Sequence, residues 1–277
     1  MKPLHTGKKF PATNLLMAIG LTLGLSYSCG EVPTEIPGQP FDHFIGDFET
    51  GNYYNFHLLV PDTNFNSQIV TYPVRKGAYA LKNTLRPTDF IFNGIRVELA
   101  VYNCAKYKTE VYYGFSVFID TNYNDNRYNL ICQWQDLPYY ITGEVWEPTP
   151  VLHGSPPPLA LIYVDGNFEL KRGTGPMSQE TELLASVPGI SKGNWHDLVF
   201  HIFWSDENDG YVEAWMDGTH FTPFNGVDHK IYQPNLYVRS GNYFKFGQYR
   251  GKETPTQTNT LYFDEIKIGT SYTEVAP

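Results

Sequence analysis

The octapeptide Tyr243-Phe244-Lys245-Phe246-Gly247-Gln248-Tyr249-Arg250 carries the residues of this chain best suited to chemistry. As an extended strand it sends Tyr243, Lys245, Gly247 and Tyr249 to one face and Phe244, Phe246 and Gln248 to the other. The first face combines an ammonium, two phenols and a glycine, so an acidic, ring-shaped ligand could lie against its backbone. The second face suits a core. An amphipathic strand with ordinary surface tyrosines has the same spacing, so the octapeptide alone leaves both readings open.

The elements around it are short β-rich runs: Ser67 to Val74, Ala78 to Leu85, Ile95 to Val101, Val111 to Asp120, Tyr128 to Trp134, Leu159 to Val164, Trp195 to Trp204, Gly210 to Met216 and Leu261 to Ile268. Asp165-Gly166-Asn167, Asn208-Asp209-Gly210 and Asp217-Gly218 offer the positive-φ residues of tight hairpins. Phe56 to Val60 and Met177 to Ala185 read as a turn or two of helix, and no segment has a long helical period. Regular strands without intervening helices predict a β-sandwich of antiparallel, Greek-key connected sheets. With 277 residues, no internal repeat and no second composition regime, one large domain is expected.

Several segments, in chain order, resemble one family. The octapeptide is similar to the YFKxGxY strand of the jelly-roll polysaccharide lyases, which include alginate lyases, glucuronan lyases and heparin lyase I. Arg96-Val97-Glu98-Leu99 resembles that family's RxEL strand, and Gln133-Trp134-Gln135 lies where it carries a Gln-x-His strand. Trp195-His196-Asp197 and Glu213 to Gly218 resemble the hairpin that follows. Asp47 to Gly51 and Pro73 to Gly77 are similar to the heparin lyase I branch. The resemblance covers about residues 44 to 268. It implies an all-β, concanavalin-like jelly roll of two antiparallel sheets, and β-elimination on a uronic-acid-containing polysaccharide. It also implies that Arg96, Gln133 and Lys245 line the cleft and that Tyr249 donates the proton. One position departs from the pattern: the family's histidine is Gln135 here.

Elimination needs the uronate carboxylate neutralised, a base for the α-proton and an acid for the leaving oxygen. Arg96 and Gln133 suit the first task as guanidinium and amide donors, with Lys245 adding positive charge. Gln135 can orient a carboxylate but cannot take a proton. Two replacements follow: Tyr249 as base and acid together, its phenolate favoured by Lys245 and Arg250, or His153 reaching in from the loop Leu137 to Pro158. That loop follows the Gln133 strand and carries Tyr139, Tyr140 and Trp146, which with Tyr243 suit stacking on sugar rings. Glu98 and Arg250 complete the expected substrate contacts. No Glu-x-Asp-x-Glu array of a retaining hydrolase is present. A non-catalytic glycan-binding protein of the same fold is the competing reading.

The N-terminus has a different character. Lys2, Lys8 and Lys9 precede the apolar stretch Leu15 to Leu25 and then Ser26-Tyr27-Ser28-Cys29, the pattern of a bacterial lipoprotein signal. The expected division is a signal peptide at 1–28, a Pro/Gly-rich tether at 29–41 lipidated at Cys29, and one lyase-like domain at 42–277 in the cell envelope. A plain secretory signal is the alternative. Loss of 1–28 deepens the formal net charge from −9 to −12, because it removes three lysines and no acid. Such a surface disfavours nucleic acid and confines any acidic glycan to a local basic groove. A monomer is expected. Cys104 and Cys132 pair in a disulfide or remain buried thiols. No cofactor is required by the chemistry; a structural calcium at Glu49 and Asp264 is possible, whereas Asp120 to Asp125 reads as a turn.

Overall fold

Alternating apolar residues, broken by turn-forming dipeptides, make strands the dominant element of the described residues. A computed structural model describes residues 43–92, 94–126, 128–137, 155–176, 178–250 and 257–277, all within one compact unit. In chain order the elements are β1 (Phe44–Gly46), β2 (His57–Leu59), α1 (Thr63–Asn66), β3 (Ser67–Val70), β4 (Ala80–Leu85), β5 (Phe90–Ile91), β6 (Gly94–Ala105), β7 (Glu110–Ile119), β8 (Asn129–Asp136), β9 (Leu159–Val164), β10 (Asn167–Gly173), β11 (Thr181–Val187), β12 (Trp195–Phe203), β13 (Tyr211–Met216), β14 (Thr219–His220), β15 (Thr222–Pro223), β16 (Ile231–Tyr232), β17 (Asn242–Arg250), β18 (Asn259–Gly269) and α2 (Tyr272–Val275).

Two antiparallel sheets result. The front sheet runs β15-β11-β10-β9-β8-β17-β6-β2, with β5 beside β6; the back sheet runs β14-β13-β12-β7-β18-β4-β3, with β1 beside β18 and β16 beside β13. This is the all-β jelly-roll sandwich expected from the sequence. Hairpins close at Asp165-Gly166 and Asp217-Gly218, where all four residues have positive φ. Asn208 to Gly210 also joins two strands but has no positive φ, so that expected tight turn is an ordinary loop.

Both expected helical turns are corrected. Phe56 to Val60 contains β2, which pairs with β6 through His57↔Ala100 and Leu59↔Glu98. Met177 to Ala185 runs into β11, which is paired by β10 and by β15. In each case a neighbouring strand satisfies the backbone, and this outweighs the weak local preference of a short segment. Among the described residues, no helix is long and apolar enough to cross a membrane.

Large aromatics fill the space between the sheets. Trp134 lies 5.2 Å from Tyr113 and 5.3 Å from Phe244, and Phe246 lies 5.2 Å from Phe263 across the sandwich. Each such ring contributes roughly 1.5–3 kcal/mol through burial alone. Trp204 donates its indole N–H to the Tyr113 hydroxyl at 3.0 Å, so this polar group is satisfied inside the core. Cys104 and Cys132 are free and buried, on β6 and β8, with β17 between them. The disulfide alternative is therefore replaced by two thiols, and burial pushes that of Cys104 up to about 12.

Candidate functional site

The octapeptide forms β17, and its alternation positions the site. Phe244 and Phe246 enter the core, and Gln248 is buried between the sheets, donating to Asn83 O at 3.0 Å and Asn259 O at 3.3 Å. These bonds to the back sheet fix the strand immediately beside Tyr249. Gly247 adopts φ +134, and a Cβ there would stand 2.2 Å from Val97 O. Only glycine fits. A register shift against β8 lies between Phe246 and Tyr249, and such a bulge re-aims the side chain that follows it.

Cross-strand pairing then assembles the outer face of the front sheet. Tyr249 stands opposite Arg96 and Gly247 opposite Glu98; Lys245 stands opposite Gln133 and Tyr243 opposite Gln135. Arg96, Gln133, Lys245 and Tyr249 thus share one face of three adjacent strands, and Glu98 lies at their centre. It accepts a hydrogen bond from Gln133 Nε2, receives Arg96 Nη1 at 3.3 Å and lies 3.9 Å from Lys245 Nζ. Lys245, Glu98 and Gln133 are 3, 2 and 1% exposed.

Two cations therefore share one carboxylate at contact distance. Burial, and then the Arg96 charge, lower the Lys245 pKa, while Glu98 opposes them. Among the described residues, Arg96 Nε is buried and has no hydrogen-bond acceptor. The guanidinium lies 3.9 Å from the centre of the Tyr249 ring, and Gly94 makes room for that ring, since a Cβ would come within 2.2 Å of Tyr249 Cε2. Tyr249 also packs on an apolar strip of Leu130, Ala160 and Ile162. It is half-buried, with its ring against the Arg96 side of the charged cluster.

Other expected site residues fall elsewhere. Tyr243 is on the same face but buried, stacked on Tyr102 at 4.8 Å, and burial raises its pKa; it is a wall of the site. Gln135 donates its amide to Asp136. Arg250 is the clear correction. It alternates to the inter-sheet side, reaches Leu85 O at 3.4 Å and cannot act on Tyr249 or on a ligand at this face. Tyr139, Tyr140, Trp146, His153 and Cys29 lie outside the described residues.

Glu49 and Asp264 are occupied by backbone donors. Glu49 accepts from the amides of Ala78 and Tyr79, and Asp264 accepts from those of Arg75 and Lys76 at 2.8 and 3.2 Å. They clamp one loop instead of converging on a cation, and no cluster of three or more metal-ligating side chains forms among the described residues.

Sequence reasoning missed His57. Among the described histidines it is the one on the front sheet: it pairs with Ala100 of β6, and its ring lies 4.6 Å from Tyr102. Burial lowers its pKa, which keeps the imidazole neutral. The signal was slight, because β2 is three residues long and its register is set by β6.

The fold has known counterparts. An endo-β-1,4-glucuronan lyase from the fungus Trichoderma reesei superposes with a TM-score of 0.63 at 18% identity, covering 86% of this chain and 99% of that one. The cellulose-induced protein Cip1 gives 0.54 at 17%, covering 82 and 97%. Alginate lyase A1-II′, a member of polysaccharide lyase family 7, gives 0.51 at 14%, covering 78 and 95%. At such identities the likeness is one of fold. No curated protein sequence matches the chain. The family model described as polysaccharide lyase matches residues 46–267, and with that span matched the chain belongs to the polysaccharide lyase family.

Proposed function

We propose that this lyase cleaves a uronic-acid-containing acidic polysaccharide by β-elimination at the Arg96–Tyr249 end of the front face. One observation carries the substrate class: the half-buried Arg96 guanidinium, whose Nε–H is buried and unpartnered, stands beside a buried cation, Lys245, that shares its carboxylate. An anionic group on the ligand satisfies both, and a uronate carboxylate has the right charge and planar geometry.

The chemistry follows from that placement. Arg96 and Lys245 neutralise the carboxylate, and the second amide hydrogen of Gln133 is a further donor, so negative charge developing beside the carboxylate is stabilised where water is excluded. Tyr249, as phenolate, takes the α-proton; the C–O bond to the leaving sugar breaks as the C=C bond forms. The same phenol then returns that proton to the leaving oxygen and is regenerated. Base and acid act from one side of the ring, which requires a syn elimination.

His57 competes for the role of base, and distance decides against it. Ala100, its partner, is four residues along β6 from Arg96, roughly 13 Å at the rise of a strand. On this reading His57, level with Lys245 through Ala100, faces the sugar next to the one that loses its proton.

Ultraviolet absorbance of the new double bond tests this reading, using heparin, glucuronan, alginate and chondroitin as substrates. Absorbance rising with at least one uronate polymer is expected. Binding of an acidic polymer without any unsaturated product would mean that the face serves recognition only. Export as a lipoprotein is proposed from Lys2 to Cys29 alone; labelled fatty acid should appear on the wild type and not on Cys29→Ala.

A further inference from the structure

We propose that the outer face of the back sheet carries a second glycan-binding site, selective for a neutral pyranose. Its basis is a cavity of about 300 Å³ lined by Tyr72, Pro73, Phe118, Asp120, Thr121 and Tyr262, with Gly193 at its edge. That volume is at the lower end for small-molecule sites. The cavity is separate from the front face and does not depend on which polymer is cleaved there.

Three adjacent strands supply an aromatic row. Phe118 of β7 stands opposite Trp195 of β12 and Tyr262 of β18, with ring centres 5.6 Å apart on both sides. Tyr72 rises beside the row and is 86% exposed, a large apolar surface that the fold itself does not use. Aromatic faces with hydroxyl tips suit the C–H faces and hydroxyls of a sugar ring.

The segment that follows Tyr72, from Arg75 to Tyr79, is clamped at its backbone. Buried Asp264 accepts from Arg75 N and Lys76 N, Asp197 receives the Arg75 guanidinium at 2.9 and 2.6 Å, and Glu49 accepts from Ala78 N and Tyr79 N. Fixing a loop before binding removes the ordering cost from the binding step. Tyr72 stands three residues before this clamp, so one end of its loop is fixed.

Charge selects the ligand. Asp120 accepts the Asn122 amide at 2.9 Å through Oδ1, leaving Oδ2 to accept from a sugar hydroxyl. A carboxylate in the lining repels a uronate and accommodates a neutral ring. The two faces are thus complementary: cations for the chain that is cut, a carboxylate and aromatics for a neutral chain that is held.

Calorimetric titration of the full chain with cellohexaose, xylohexaose and mannohexaose tests the proposal. At least one is expected to bind, with affinity falling about tenfold or more in Tyr72→Ala and unchanged in Tyr249→Phe. Cleavage of a soluble acidic oligosaccharide by Tyr72→Ala should stay at the wild-type rate. No binding of any of the three, or binding unaffected by both Tyr72→Ala and Phe118→Ala, would overturn it. A loss of binding in Tyr249→Phe alone would assign the sugar to the front face and overturn it equally.

Discussion

The outer faces of the two sheets treat charge in opposite ways. On the back sheet the ions are matched: Arg75 forks onto Asp197, Ser116 Oγ donates to the same carboxylate at 2.7 Å, and His201 lies between Glu110 and Glu213. On the front sheet Arg96 and Lys245 share Glu98, and an Arg96 N–H is left over. Strand alternation is alike on the two faces, so it does not distinguish function; burial differs, with Glu98 and Lys245 almost sealed from solvent and Arg75 and Asp197 partly open to it. The balance of charge in each ionic cluster does distinguish it: the back face is closed, with a carboxylate for Arg75 alone, whereas the front face is open, its two cations sharing one and poised for an anionic ligand.

Substitutions can break or sharpen this contrast. Tyr249→Phe removes one hydroxyl from the open face and should lower kcat by about a thousandfold, with KM little changed, as measured by initial rates of double-bond formation. Lys245→Met comes next. It should lower kcat/KM by roughly a hundredfold while leaving the thermal midpoint unchanged or higher, since burial disfavours the ammonium and an apolar side chain of similar volume removes that cost.

On the closed face the pattern should invert. Arg75→Ala leaves Asp197 half-buried without its fork and should destabilise by about 1–3 kcal/mol in denaturant unfolding, with cleavage of soluble substrate unaffected. Burial raises Asp264 to about 6 despite its backbone donors. The folded state therefore holds this proton more tightly than the unfolded chain, and the contribution to stability is full below about 4 and lost as pH rises through about 6. The Tm of Asp264→Asn relative to wild type should accordingly rise by roughly 5–10 °C between pH 4 and pH 7. An unchanged difference would place the titration elsewhere.

Much of the fold was legible because hairpin dipeptides and alternating strands are local signals. Asp165-Gly166 and Asp217-Gly218 turn where the sequence said they would, and β17 faces the core with Phe244 and Phe246 as expected. Arg250 was legible too: the alternation that exposes Tyr249 sends its neighbour inward, and the charge of the guanidinium drew attention away from that. Short strands were not legible. β2, three residues long, is defined by β6 beside it, so His57 reached the front face through a register invisible in so short a run; the seven-residue β11 was hidden instead by its weak alternation. The same limit applies to Glu98, whose central role depends on Gln133 and Lys245 arriving from β8 and β17.

The central claim, that the open face performs elimination on a uronate polymer, is tested most directly by the mass of the end products from a digested uronate polymer. Oligosaccharides one water lighter than hydrolytic fragments, formed by the wild type and not by Tyr249→Phe, are expected. Internal fragments that all carry the full added water, with no light series, or light fragments formed equally well by Tyr249→Phe, would contradict it.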